Sequence, residues 1–141
     1  MLRLINSSPV NTDYGIVFGK ARIKSIAFEG DDTLRIKTAY LFRTQEHRYH
    51  NVYYSQLDEG CAGTDIVLAI EHSLEEISVN FHGSMTDRMK RELLQEDMLF
   101  VGELIRQGYR LYVHYSTKRE GYLIIAKHVT TKNIYFFQRY F

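Results

Sequence analysis

Two alternating segments commit this chain to β-structure. In Val17–Phe28, Lys20, Arg22 and Lys24 fall on one side and Ala21, Ile23 and Ala27 on the other. In Leu34–Arg43, Arg35 and Lys37 face away from Leu34, Ile36, Tyr40 and Phe42. A period of two belongs to a strand with one covered face, and the "EGDD" of Glu29–Asp32 between them is a turn signal. Register then decides where the cations go. A four-residue turn sets Lys24 opposite Lys37, placing like charges face to face. A five-residue turn pairs Phe28 with Leu34 and Lys24 with Thr38, and this is the expected register.

Beyond Arg43 the chain is looser, with Val52–Tyr54 as a short strand before the loop "DEGCAGT". The run "DIVLAIEH", Asp65–His72, is nearly continuous in apolar residues, as in a strand buried on both faces. Through Ser73–Glu76 it connects to Ile77–His82, with Ile70 against Val79 and Leu68 against Phe81. The period then changes. Leu94, Met98, Val101 and Ile105 form a helical stripe, widened by Leu93, Phe100 and Leu104. The "SMTD" of Ser84–Asp87 offers a cap at Ser84 or Thr86, and Gly108 offers a stop. Gly102 within the stripe suggests a close helix–sheet contact. A hairpin follows, "YRLYVHYS" and "YLIIAKHV" around "TKREG", and then the aromatic stretch Asn133–Phe141. The expected fold is α+β: a mostly antiparallel β-sheet with one long α-helix, about residues 86–107, packed on one face, in a single domain spanning 1–141.

One cysteine, Cys61, leaves no intrachain disulfide and fits a reducing compartment. The N-terminal residues lack the apolar core of a signal peptide, and no apolar run reaches the roughly 18–20 residues of a membrane span. The expected location is therefore cytoplasmic, with no membrane partner. Net charge is +1, but it is segregated. Asp58–Glu103 holds eleven acids against three bases, whereas Arg106–Phe141 holds seven bases against Glu120 alone. Such segments either neutralise each other side by side or form separate faces for charged partners.

No phosphate-binding glycine loop and no serine nucleophile elbow is present. Three histidines recur in an H-x-S/T context: His82-Gly-Ser84, His114-Tyr-Ser116 and His128-Val-Thr130. Such pairs can supply the acid and base flanking a phosphodiester. With Ser116 opposite Tyr122, His114 faces Ile124 and His128 faces Arg110, about 13 Å apart along the strand. Two groups so separated cannot share one phosphate, so a phosphodiesterase or ribonuclease using His82, His114 and His128 is an alternative reading. His47 and His50 in "HRYH", ahead of Asp58, Glu59 and Cys61, lack the second ligand pair of a zinc site. Cys61 sits among acids that would raise its thiol pKa. No metal and no cofactor is expected.

The positive signal is aromatic and basic interleaving. One cluster runs through Tyr40, Phe42, Arg43, His47, Arg48, Tyr49, His50, Tyr53 and Tyr54. A second, on the even-numbered face of the last hairpin, holds Arg110, Tyr112, His114, Tyr122 and His128, with Arg139 beyond it. This second set, Arg139 included, is the expected partner-binding surface. The expected function is a small intracellular, non-catalytic binding protein that docks a macromolecular partner, as an inhibitor or regulator. A protein is the first expected partner and single-stranded nucleic acid the alternative. An uncovered strand edge would also permit a homodimer.

Overall fold

The computed structural model describes residues 15–75, 84–93, 99–118 and 121–134. Among them lie nine strands: β1 Ile16–Phe18, β2 Ala21–Glu29, β3 Thr33–Tyr40, β4 Arg43–His50, β5 Tyr54–Ser55, β6 Asp65–His72, β7 Arg110–Ser116, β8 Gly121–Ala126 and β9 His128–Ile134. Every pairing is antiparallel. The predominance of antiparallel sheet agrees with the alternation of the sequence.

The pairings run in a circle. β1 and β2 both lie along β6, through Ile16↔Ile70 and Ala21↔Ile66, and so act as one kinked strand. β4 and β5 lie in the same way along β9 and β8, through His50↔His128 and Tyr54↔Ile125. From β9 the order passes through β4, β3, β2, β6 and β7 to β8, which continues into β9 with only Lys127 between them. The result is a closed barrel of six long strands. Its corner is held by the Lys127 N–H on the His50 carbonyl at 3.0 Å and the Tyr53 N–H on the Ile125 carbonyl at 2.8 Å. Closure leaves fewer free edges for pairing with other chains.

Two apolar clusters follow from this geometry. Ile23, Leu34, Ile36, Tyr49, Ile66, Tyr112 and Ile124 fill the barrel with Leu57. Leu111, Val113, Leu123 and Ile125 point the other way from β7 and β8, and are buried with Leu74, Met89, Val101 and Leu104. The strands covered on both faces are therefore β7 and β8. The expectation that Asp65–His72 is buried on both faces is corrected, because Val67 of β6 is 48% exposed. An apolar run shows only that both faces tolerate burial, and the outer layer covers β7 and β8 instead.

The expected single helix of 86–107 is also corrected. Among the described residues the helical ones fall in two short segments, α1 Ser84–Leu93 and α2 Leu99–Arg106, and no long helix lies on the sheet. Helical periodicity identifies the face of each turn, but it does not require two runs to share an axis. α1 brings Met89 to the outer cluster, and α2 brings Val101 and Leu104. The Tyr54 hydroxyl donates to Glu92 of α1 and accepts from Gln56 Nε2 at 3.0 Å, tying α1 to the barrel. α2 ends as expected at Gly108, whose φ of 92° allows Gly108 N–H to reach Ile105 O and Tyr109 N–H to reach Leu104 O, both at 3.0 Å. Gly102 marks no close contact, since a Cβ there would meet nothing within 4 Å. Among the described residues no helix is long and apolar enough to cross a membrane.

Two registers matter for the site. Phe28 pairs with Leu34, as a five-residue turn requires, but Lys24 falls at a bulge between Ile23 and Ser25 rather than opposite Thr38. In the β7–β8 hairpin His114 faces Tyr122 and Tyr112 faces Ile124, two residues from the expected register. A shift of two preserves which side chains share a face. The partners expected for Ile70 and Leu68, Val79 and Phe81, lie outside the described residues, as does 135–141 of the aromatic ending.

Candidate functional site

The even-numbered face of β7 and β8 is the inside of the barrel. Tyr112 and His114 are buried there, with the Tyr49 ring meeting Tyr112 edge-on at 5.3 Å. His114 Nδ1 lies 3.2 Å from the Tyr122 carbonyl, which can only accept, so Nδ1 carries the proton. Nε2 is left to accept from the Tyr49 hydroxyl at 2.6 Å. Burial lowers the His114 pKa to about 4, so the ring is neutral near pH 7. His47 lies beside it, stacked on Phe18 at 4.4 Å. Its Nε2 is 3.0 Å from the Thr38 hydroxyl and its Nδ1 2.9 Å from that of Thr131. Burial, aided by His114 and Arg43, lowers the His47 pKa to about 3. Both rings are sealed, neutral and fully partnered.

The remaining expected residues are dispersed. Arg110 is exposed and paired with Glu71 at 2.8 Å. Tyr122 is half-buried against the core. His128 faces outward and stacks on His50 at 4.3 Å. Its face is set at Lys127, where the β5–β8 register gives way to the β4–β9 register by one residue. Ile124 and Ala126 are buried before that point, whereas Thr131 reaches inward after it. His114 and His128 thus occupy opposite sides of the barrel wall, and His82 and Arg139 lie outside the described residues. The structure brings together His114, Tyr112 and Tyr122, with the first two inside the wall and Tyr122 half-buried.

The "HRYH" pair is divided in the same way, with His47 inside and His50 outside. The stretch that carries it, read as loose, is β4 itself. Asp58 caps the short 3₁₀ turn Glu59–Cys61 through the Gly60 N–H at 2.9 Å. Burial raises the Cys61 thiol pKa, with the charge of Asp58 adding to it against a backbone hydrogen bond at Asp58 that lowers it. Among the described residues no three of His, Cys, Asp and Glu gather as metal ligands.

The segregated charges meet where Glu71 of the acidic stretch takes Arg110 of the basic one and Glu103 takes Arg106. Outside the acidic stretch, Glu46 of β4 takes Lys132 of β9 at 3.5 Å and Arg48 at 3.0 Å. Burial opposes ionisation of Glu46, but these cations hold its pKa below the ordinary value.

One end of the barrel is different in kind. A groove of about 490 Å³ is lined by Lys20, Arg22, Lys24, Tyr40, Leu41 and Asp65, among others. The bulge at Lys24 interrupts alternation only after three cations have lined up on the same side of the chain. Arg22 Nε binds Asp65 at 2.8 Å, and that hydrogen bond, assisted by Lys20 and Lys118, keeps the Asp65 pKa below its usual value. Lys20 Nζ lies 5.7 Å from the centroid of the Tyr40 ring.

Above the groove, Leu41 and Phe42 form the two-residue connection between β3 and β4, closed by the Tyr40↔Arg43 pair. Leu41 is 80% exposed and Phe42 fully exposed. Leu41 has φ of 55°, a region that favours glycine or asparagine at a hairpin turn. The absence of turn residues here is why the alternating pattern runs on to Arg43 in the sequence. That missing signal, an apolar pair where a turn must fall, is what sequence reasoning overlooked. Comparisons with protein-family models, with curated proteins and with solved structures give no match for this chain.

Proposed function

We propose that this chain is a small, non-catalytic binding protein that docks an anionic macromolecule across the grooved end of its barrel, acting in the cytoplasm. The observation that carries the reading is the groove lined by Lys20, Arg22 and Lys24 directly beside the strained, exposed Leu41–Phe42 tip. A leucine held at positive φ costs about 1–2 kcal/mol relative to an ordinary backbone. Strain without a local gain is most often retained where the residue contacts something else. The cations supply attraction for an anionic partner, and among the described residues the one carboxylate lining the groove, Asp65, is already engaged by Arg22. The catalytic alternative lacks comparable support, since His114 is sealed and His128 faces away from it.

Retention on immobilised heparin tests this reading. Lys24→Glu and Lys127→Glu change net charge equally, but only Lys24 lines the groove. Lys24→Glu is expected to elute at clearly lower salt than Lys127→Glu. Equal shifts would show attraction by overall charge alone and would remove the groove from the account.

A further inference from the structure

We infer that the anionic partner is a single-stranded nucleic acid, held with its phosphates on the lysines of the groove and its bases on Tyr40 and Phe42. This rests on the docking reading above and names its partner. A second groove of about 460 Å³ adjoins the first, lined in part by Ser116, Thr117, Lys118 and Tyr122. The two share Asp65 and Thr117, so they form one continuous track with Lys20 and Lys24 at one end and Lys118 at the other.

The chemistry of the track separates the classes of polyanion. Lys20 lies over the Tyr40 ring, so a phosphate reaching Lys20 brings its base beside an aromatic face. Phe42 offers a second ring at the tip, fully exposed. Lysines tracking a backbone beside flat rings suit unpaired bases, whose faces are free to stack. A duplex hides those faces within its own stack. An acidic peptide would use the lysines but has no planar group for each ring to cover. The Thr117 hydroxyl adds a hydrogen-bond donor suited to phosphate oxygens.

Fluorescence anisotropy with labelled 12-mers of U and of dT tests this, beside a labelled duplex, heparin and polyglutamate. Single strands are expected to bind more tightly than duplex or polyglutamate. The slope of log K against log salt should be about −2, from three lysines at about 0.7 each. Phe42→Ala and Tyr40→Ala should each weaken single-strand binding about tenfold while leaving heparin retention unchanged. Thermal unfolding of Phe42→Ala should match the parent, because the ring is fully exposed. Duplex or polyglutamate binding as tightly as the single strands, or indifference of single-strand binding to Phe42→Ala, would overturn the inference and leave the docking reading standing. Absence of binding to every polyanion would overturn both.

Discussion

The inside of the barrel and its grooved end treat polar and apolar groups in opposite ways. Inside, His47, His114, Thr38 and Tyr49 are withdrawn from water, yet their side chains are hydrogen-bonded within the wall. At the grooved end, Leu41 and Phe42 face water on a turn whose backbone disfavours a leucine. The chemically versatile histidines therefore serve the fold, because a buried, satisfied and neutral imidazole has no task left. The chemically inert pair carries the docking reading, because both side chains are exposed and Leu41 is held at positive φ. Residue type alone points the other way in both regions.

Tyr112→Ala is the strongest way to break this contrast. Its ring is buried against Tyr49, so truncation should cost about 3–5 kcal/mol in denaturant unfolding. A loss under about 1 kcal/mol would place the ring on a surface and restore it to the partner-binding set.

Acidification comes next. Both buried histidines have folded pKa values, about 3 and about 4, below the ordinary 6.5. The unfolded chain thus binds more protons between these limits. The stability they contribute is present above pH 6.5 and is lost as pH falls toward 4 and then 3. Near pH 5 the two together should steepen the loss by about 2–3 kcal/mol per pH unit. Stability that stays flat from pH 7 to 4.5 would mean the rings are open to water.

Tyr49→Phe sharpens the comparison from within, leaving Nε2 of His114 without its donor. The expected loss is about 1–3 kcal/mol, with His114 titrating closer to its ordinary range by NMR. An unchanged His114 titration would argue against the Tyr49 bond. At the grooved end the sign reverses. Leu41→Gly should stabilise by about 0.5–1 kcal/mol, the left-handed penalty less the entropy of glycine, while weakening polyanion binding. Destabilisation would show that Leu41 packs within its own chain.

Much of the sheet is legible in the sequence, and for a local reason. Alternation around Ile23 and Ile36, the turn that pairs Phe28 with Leu34, the Gly108 stop and the shared face of Tyr112 and His114 all depend on neighbours in the chain. β4 is not legible, because "RTQEHRYH" has no apolar alternation. His47 sits in the core only because Thr38 and Thr131 come from two other strands to satisfy it. The long helix fails for a related reason, since periodicity describes faces and not continuity. The grooved end is half visible: Lys20, Arg22 and Lys24 stand out in the alternation, but their groove needs Tyr40 and Asp65 from elsewhere.

The sequence by itself determined that strands dominate, which residues share a face and where the cations lie along β2. These follow from side-chain period and turn chemistry, which act over a few residues. Only the tertiary structure decided which face is inside. Closure of β8 and β9 around the barrel turns an apparent aromatic surface into core, and the one-residue register change at Lys127 turns His128 away from it. Inside and outside are properties of a closed sheet, and pairings such as Glu46↔Lys132, far apart in the chain, are what close it.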